Sequence, residues 1–244
     1  MTQPTRTRST GTFPLVLMYH SVSPYTQDPY RVTVSPRRFE QQLRWLRRRG
    51  LRGTSMRELL AAERTGRSRG LVGLTFDDGY ADFARTVLPT LHRYGFTATV
   101  FVLADRLGGH NAWDPEGPRK ALMTEQEVRR AADSGMEIGS HGMLHRPLGS
   151  VTEAALLDEV QHSRTVLERI TDRPVPGFCY PYGDVNERVI EAVQAAGYDY
   201  GCGIWRSALS GRHALPRTYV GERDRGLRLH AKRVRHELTC RTAR

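Results

Sequence analysis

The sequence has no long hydrophobic run. None of its apolar stretches approaches the roughly 20 residues that a helix needs to cross a bilayer, so we predict no transmembrane segment. The first apolar stretch, residues 13–19, is short, contains Pro14 and is followed by no small-residue cleavage site. These features are typical of a buried strand and not of a signal peptide, so the chain as printed is expected in the cytoplasm. If the true N-terminus lies upstream of Met1, an export signal could precede the printed sequence.

Cysteine is scarce, since the chain has only Cys179, Cys202 and Cys240. An odd number of cysteines at wide, unpatterned spacing excludes a disulfide framework and a zinc finger. A reducing compartment is the simpler interpretation of this cysteine usage. With 244 residues, of which 39% are hydrophobic and 26% charged, the chain can bury a full core without cross-links, as a soluble globular domain does.

The net charge of +11 comes mostly from arginine. Polyanion binding is one explanation for such an excess, and solvated, arginine-rich helix faces are the other. We favour solvated faces, because the basic runs at residues 47–49 and 232–235 lie in helix-like contexts and no aromatic residues interleave with them. The sequence therefore predicts no nucleic acid partner.

Short apolar strands alternate with amphipathic helices over most of the chain. The helices include two predicted over residues 81–94 and 152–170, and a late strand is predicted over residues 214–218. This alternation predicts an α/β fold with a mostly parallel sheet, in which the chemistry lies at the carboxyl ends of the strands. No internal repeat and no linker interrupts the pattern. We therefore predict a single domain over residues 13–238, between a flexible basic N-terminal segment, residues 1–12, and a tail, residues 239–244.

Reactive or unusual polar residues directly follow four of the apolar strands. They are His20, the pair Asp77-Asp78, His141 and the turn Pro181-Tyr182-Gly183. If the sheet closes into a barrel, all four strand ends converge on one rim. The sequence thus indicates one functional site built from residues that are far apart in the chain.

The adjacent aspartates Asp77 and Asp78 precede Gly79 at the end of an apolar strand. Two neighbouring carboxylates would repel each other without a cation, and a turn at the glycine can bring both to one pocket. The same tripeptide is common at helix N-caps and in turns. On its own, it fits a structural role and a functional role equally well.

Two histidines, His141 and His145, are four positions apart. If the segment forms a helical turn, both imidazoles lie on one face. With one carboxylate they would make a three-ligand site with room for water, as catalytic zinc requires. Taken alone, the pair is slightly more typical of surface histidines, but the aspartates shift the balance strongly toward a metal site. Zinc suits these ligands best, and cobalt and nickel fit them as well.

A metal ion at such a site would support hydrolysis. A bound divalent ion lowers the pKa of its water and polarises a carbonyl group, and a neighbouring carboxylate can take the proton of that water. The tetrahedral intermediate then needs an acid for the leaving amine and a donor for the oxyanion.

Three short motifs resemble those of the polysaccharide deacetylases, which form carbohydrate esterase family 4 and share the NodB-like domain. The motifs are Thr75-Phe76-Asp77-Asp78-Gly79, Ser140-His141-Gly142-Met143-Leu144-His145 and Tyr180-Pro181-Tyr182-Gly183. The resemblance covers at least residues 71–200. It implies a single distorted (β/α) barrel of about seven strands and a hydrolase of linear amides that removes N-acetyl groups, or occasionally O-acetyl groups, from sugar polymers.

The resemblance also implies a role for each motif residue. Asp77 would be the general base, and Asp78, His141 and His145 would hold one divalent ion. The backbone N–H of Tyr182 would help to hold the oxyanion.

The third motif departs from the family pattern, in which it begins with an arginine that pairs with the base. Here that position is Cys179, or Phe178 in a shifted alignment, and neither side chain can pair with a carboxylate. Arg217, on a late strand, is our candidate for the missing partner of Asp77. A surface arginine is an equally good interpretation of this residue.

The last family motif, an apolar strand that ends in the histidine acting as general acid, is not found after Tyr200. An apolar strand that ends in a histidine instead opens the chain, at residues 15–20. First and last strands are neighbours in a closed barrel, so a circular permutation would put His20 at the usual place of the acid. The opening also resembles a permuted branch that includes poly-β-1,6-N-acetylglucosamine deacetylases. We assign His20 as the general acid, with a buried strand-end histidine as the alternative.

Three functions are compatible with this reasoning. The leading hypothesis is metal-dependent deacetylation of an N-acetylated sugar, with an acetylated carbohydrate as the partner. The second is hydrolysis of another amide, on a small molecule or glycoconjugate, which the missing arginine and the lack of a visible export signal make credible. The third is a non-catalytic glycan-binding protein, against which the complete set of ligands and base argues.

Overall fold

The computed structural model describes residues 13–241. The predicted basic segment, residues 1–12, lies outside this range, as do residues 242–244 of the predicted tail. The strands are β1 (Val16–Tyr19), β2 (Ser21–Val22), β3 (Thr33–Val34), β4 (Arg52–Thr54), β5 (Leu71–Phe76), β6 (Thr99–Val102), β7 (Glu137–Ser140), β8 (Gly177–Cys179), β9 (Tyr200–Cys202) and β10 (Thr218–Tyr219). The helices are α1 (Pro36–Arg48), α2 (Met56–Arg64), α3 (Leu88–Tyr94), α4 (Glu125–Asp133), α5 (Glu153–Leu157), α6 (Ser163–Thr171), α7 (Glu187–Ala195) and α8 (Gly226–Arg241).

A single parallel sheet carries the fold. Its strand order is β10-β1-β5-β6-β7-β8-β9, and β4 pairs with the first half of β5. The segment before β10 joins the two edges, because Leu215 donates a backbone hydrogen bond to Gly201 and accepts one from Gly203, while Thr218 pairs with Leu17 of β1. The sheet is thereby curled into a distorted barrel with seven strands along its path, which confirms the predicted fold. First and last strands are neighbours, as the predicted permutation requires.

An aromatic cluster supports the strand ends that carry the candidate site. Tyr19 and Phe76, the last residues of β1 and β5, stack with ring centroids 5.2 Å apart. Phe39 of α1 lies edge-on to both rings, and Phe83 lies edge-on to Phe76. All four residues are at most 1% exposed, and each such pair contributes about 0.5–1.5 kcal/mol beyond its buried area. The backbone that precedes His20 and Asp77 is therefore held rigidly.

Some elements differ from the pattern that the sequence predicts. A strand was expected over residues 214–218, but β10 covers only Thr218–Tyr219, because Pro216 has no N–H to donate to a neighbouring strand. The expected continuous helices over residues 81–94 and 152–170 each contain a π-helical turn, Phe83–Val87 and Asp158–His162. The first π turn adjoins Pro89, which cannot donate the i→i−4 bond to residue 85. α8 extends to Arg241, past the expected start of the tail at residue 239.

None of the helices within residues 13–241 combines the length and the apolar composition that crossing a bilayer demands. The short strands β2, β3 and β4 were not predicted, because two or three residues are too few to show a periodic pattern.

We expect Gly177→Ala to lower the free energy of unfolding by about 1–3 kcal/mol, the usual cost of overpacking a core. A Cβ at this position would overlap the phenol ring of Tyr200, whose hydroxyl donates a 2.6 Å hydrogen bond to buried Glu137. Urea denaturation measures the change. Gly211→Ala is the control, because its new Cβ would meet no atom closer than 4.0 Å. Equal losses in the two variants would contradict the steric argument.

Candidate active site

The candidate site lies at the carboxyl edge of the sheet, where parallel strands bring their ends together. His20 follows β1, Asp77 follows β5 and His141 follows β7, as the sequence predicts. The turn Pro181–Gly183 follows β8 after one residue. Because β1 pairs directly with β5, His20 lies beside the aspartates.

The two aspartates reach one pocket through a tight turn. Asp78 and Gly79 both adopt left-handed backbone conformations, with φ of 72° and 68°. The chain therefore reverses directly after the strand, and both carboxylates are buried, with exposures of 3% for Asp77 and 4% for Asp78. Each aspartate has an oxygen within 4.8 Å of a ring nitrogen of His141. The predicted turn thus begins one residue earlier than Gly79, at Asp78 itself.

Three buried side chains offer ligand atoms to one point. Oδ1 of Asp78 lies 3.3 Å from Nε2 of His141 and 3.4 Å from Nε2 of His145. Nδ1 of His141 lies 2.8 Å from the carbonyl oxygen of Cys179. That carbonyl can only accept, so Nδ1 carries a proton, and Nε2 is the ring nitrogen that faces Asp78 and could bind a metal. Burial lowers the pKa of His145 to about 4, so its ring is neutral near pH 7, the form that binds metals. The donor set fits one divalent ion with an open position.

The segment between the two histidines is not the helical turn that the four-residue spacing suggested. Gly142 and His145 have positive φ values of 88° and 63°, so the segment is a loop. The backbone N–H groups of Met143 and Leu144 instead donate to Oε2 of Glu159, at 2.7 and 3.1 Å. A buried carboxylate therefore takes the donors that a helix would have used, and the loop shape brings the two imidazoles together.

Glu159 was missed by the sequence reasoning, although a signal existed. It is 2% exposed and lies on the π-helical turn between α5 and α6. Leu156 and Val160, three residues before and one after it, are buried at 1% exposure. A glutamate at this spacing on an apolar helix face indicates a buried carboxylate with partners elsewhere.

Arg217 lies against Asp77, where the sequence placed it as a candidate partner. Its guanidinium donates two hydrogen bonds to the carboxylate, at 2.6 Å to Oδ1 and 2.8 Å to Oδ2, in a bidentate arrangement. It also contacts Sγ of Cys179 at 3.0 Å and donates to the carbonyl oxygen of Gly203 and to Oγ1 of Thr75. The arginine thus arrives from the segment before β10 and lies beside Cys179, one of the two positions considered for the missing motif arginine.

The electrostatics of Asp77 follow from this pair. Burial alone would raise the pKa of Asp77, but the guanidinium of Arg217 and its hydrogen bonds outweigh burial and hold that pKa below its ordinary value. The Asp77 carboxylate is therefore ionised at neutral pH.

A second cluster of possible metal ligands consists of Asp77, His141 and Cys179 and lies next to the first. A cation there would face the positive charge of Arg217, so the first cluster is the better metal site.

His20 and Tyr182 complete the rim. Nε2 of His20 lies 4.0 Å from Oδ2 of Asp77, and its side chain is 17% exposed. Nδ1 of His20 is buried without a hydrogen-bond partner among residues 13–241. Tyr182 has a left-handed backbone with φ of 58°, and its N–H donates no hydrogen bond within the described part of the chain. Its ring, 4.4 Å from that of His145, is 53% exposed.

Two further neighbours of the metal ligands lie on the long loop after β6. The indole of Trp113 stacks on the imidazole of His145 with centroids 4.8 Å apart. Burial and the charge of nearby Asp78 raise the pKa of Asp114 to about 6. The sequence carries no periodic or motif signal for either residue, because a loop places them.

Comparisons with known proteins agree with this geometry. The family model "Polysaccharide deacetylase" matches residues 64–201, more than half of the chain. A putative polysaccharide deacetylase of Bacillus subtilis, YxkH, is 29% identical over 210 residues, which cover 84% of this chain and 70% of the relative. A poly-beta-1,6-N-acetyl-D-glucosamine N-deacetylase of Staphylococcus aureus is 22% identical over 203 residues, 78% of this chain and 68% of the relative. The structure of Streptococcus pyogenes deacetylase PplD in complex with acetate superposes with a TM-score of 0.78 at 22% identity, covering 91% of this chain and 98% of that one. The superposition with PplD is evidence for the fold alone.

We expect Glu159→Ala to weaken Zn²⁺ binding about 10–100-fold, the typical effect of losing a group that orients metal ligands. The loop that carries His145 loses its acceptor for two backbone N–H groups. Competition with a chromophoric chelator measures the affinity. Glu159→Gln keeps one acceptor oxygen and should retain most of the affinity. Asp158→Ala, at a neighbouring side chain that is 76% exposed, is the control. Similar losses for Asp158→Ala and Glu159→Ala would contradict the assignment.

The buried pair predicts strong coupling between Asp77 and Arg217. Arg217→Met should lower the free energy of unfolding by about 3–5 kcal/mol, because it leaves a buried carboxylate without its counter-charge. Adding Asp77→Asn should recover part of this loss. Chemical denaturation of the wild type, both single variants and the double variant gives the coupling energy. Losses that add within about 0.5 kcal/mol would show that the two groups do not stabilise each other.

Proposed function

Because the chain belongs to the polysaccharide deacetylase family, we propose that it is a metal-dependent hydrolase that removes the acetyl group from the nitrogen of an N-acetylated sugar. The observation that carries this proposal is the cluster of Asp78, His141 and His145 beside an ionised, arginine-paired Asp77. Hydrolysis of an amide needs an activated water, a proton acceptor and a proton donor in one pocket. This rim brings candidates for all three together.

We propose that Asp78, His141 and His145 hold one Zn²⁺ ion, with cobalt and nickel as weaker candidates for the same ligands. The bound ion would activate water and stabilise negative charge on the reacting carbonyl oxygen. Trp113, stacked on His145, limits the movement of that ring. The catalytic domain is proposed to cover residues 13–238.

Asp77 is proposed as the general base. Its carboxylate would take a proton from the water that attacks the acetyl carbonyl carbon. Arg217 holds both carboxylate oxygens, so the arginine fixes the orientation of the base while it keeps the group ionised. The same contact lowers the basicity of Asp77, so the function depends on a well-placed base more than on a strong one.

We propose that His20 and Tyr182 act on the tetrahedral intermediate, whose collapse breaks the carbon–nitrogen bond. His20 would donate a proton to the leaving amine, from the side of Asp77 that Nε2 approaches at 4.0 Å. The N–H of Tyr182 would hydrogen-bond to the oxyanion, because this donor, on a left-handed backbone, has no partner among residues 13–241. Acetate and a free sugar amine would then leave.

We expect the purified protein to release acetate from N-acetylglucosamine oligomers in the presence of Zn²⁺. Asp77→Asn should lower kcat about 10²–10⁴-fold, the usual contribution of a general base, while Zn²⁺ still binds. Coupled acetate assays and labelling of the free amine measure the reaction. Asp133→Asn is the matched control, because Asp133 is 65% exposed on α4.

Two outcomes would count against the proposal. If neither acetate nor a free amine forms from any acetylated glycan with metal present, the proposed activity is wrong. If only small acetylated amides are cleaved, the function is that of a small-molecule deacetylase, and the polymer is not the substrate.

A further inference from the structure

An open cavity of about 730 Å³ lies between α8 and the segments that follow β2 and β10. It is adjacent to the candidate active site, because Thr33, which lines it, pairs with Ser21, and Ser21 directly follows His20. Its volume falls within the range of roughly 300–1,000 Å³ that small-molecule sites occupy. Tyr25 and Tyr219 contribute aromatic rings to the wall. Neither the metal site nor the proposed mechanism uses this cavity.

The lining of the cavity is strongly charged. Its basic members are Arg31, Arg223, Arg228, Lys232 and Arg235, and its acidic members are Asp28, Glu222 and Asp224. Charges of both signs on a surface usually neutralise each other in local ion pairs. The charge that this cavity offers to a ligand therefore depends on which lining residues already have partners.

The three carboxylates are all engaged within the protein. Asp28 accepts hydrogen bonds from the backbone N–H groups of Val32 and Thr33, at 3.1 and 2.9 Å. Glu222 accepts from the backbone N–H of Ser35 at 2.7 Å and from its hydroxyl. The remaining carboxylate, that of Asp224, accepts from Lys232 at 2.5 Å and from Gly221 at 2.9 Å. Lys232 is thereby neutralised as well.

The four arginines remain without such partners. Among residues 13–241, no hydrogen bond or ion pair involves the guanidinium of Arg31, Arg223, Arg228 or Arg235. Arg31 is also held in a left-handed backbone conformation with φ of 58°, where its carbonyl oxygen accepts from the hydroxyl of Tyr219. Strain of this kind persists where the surrounding structure imposes it. The lining carries five cations and three carboxylates, so an excess of positive charge remains in a cavity beside the candidate active site.

We propose that this cavity binds an anionic group of the glycan, a phosphate or a uronate carboxylate, while a neighbouring N-acetyl group occupies the metal site. The arginine fork suits the paired oxygens of both anions, and the tyrosines offer flat faces to the sugar ring that bears the anion. The substrate class is then an acidic N-acetylated glycan. This assignment of the anion to the substrate rests on the proposed function.

The test compares the affinities of four ligands for the full chain carrying Asp77→Asn, which slows turnover enough for binding to be measured. The ligands are a neutral N-acetylglucosamine tetramer, the same tetramer with a phosphate at one end, a tetramer that alternates N-acetylglucosamine with glucuronate, and inorganic phosphate. We expect at least one acidic tetramer to bind about tenfold or more tightly than the neutral one. Raising the salt concentration should reduce this preference, because the arginines are exposed to solvent.

Two double variants locate the effect. Arg228→Gln with Arg235→Gln should abolish the preference for the acidic tetramer. Arg64→Gln with Arg130→Gln removes the same charge from exposed positions on α2 and α4, outside the cavity lining, and should leave the preference intact. Thermal unfolding of both variants verifies that they fold. Equal affinity for acidic and neutral tetramers, or equal losses in the two variants, would overturn the inference.

The remaining outcomes separate the two proposals. If inorganic phosphate binds as tightly as the phosphorylated tetramer, the cavity holds a free anion and its assignment to the substrate is wrong. If wild type releases acetate from the neutral tetramer but shows no acidic preference, only the inference about the cavity fails. If the preference exists and no glycan is deacetylated, the proposed function fails and the cavity remains an anion site.

Discussion

The buried ion pair between Asp77 and Arg217 joins the architecture of this protein to its chemistry. The guanidinium belongs to the segment that closes the sheet, and it reaches the end of β5, the thiol of Cys179 and the carbonyl of Gly203. Moving both charges out of water is costly, and the bidentate geometry offsets this cost only while the segment before β10 is held against the end of β5. One contact fixes both the shape of the rim and the charge of the group that would accept the proton.

The sequence predicted the parts of the site that follow simple rules. Parallel strands end at one edge, so apolar runs that end in His20, Asp77 and His141 were enough to predict a common rim. Arg217 could be proposed as the partner of Asp77 because the third motif lacks its arginine. Its two hydrogen bonds to Asp77 could not be predicted, because Pro216 makes the segment before β10 irregular. The loop between His141 and His145 escaped prediction, because its shape is set by Glu159, whose carboxylate lies on a π-helical turn. Left-handed conformations at non-glycine residues such as Asp78 likewise depend on tertiary contacts.

The net charge of the chain likewise does not predict which surface arginines are unpaired. An excess of arginine is most simply explained by solvated helix faces, and most of the chain fits that explanation. Whether an arginine is free depends on where the carboxylates are used. Asp28, Glu222 and Asp224 line the same cavity as four arginines, yet among residues 13–241 none of these acids forms an ion pair with those arginines. Composition gives only the sum of the charges, whereas the structure shows which of them are paired.

The neighbouring first and last strands have a consequence for biosynthesis. His20 emerges from the ribosome long before Arg217, yet both must reach Asp77. Contacts between such distant parts of a chain form late in folding, since the loop between them must be closed first. A nascent polypeptide that stops before Arg217 would carry the three candidate metal ligands but not the counter-charge of the base. The candidate active site is therefore complete only after Arg217 has been made.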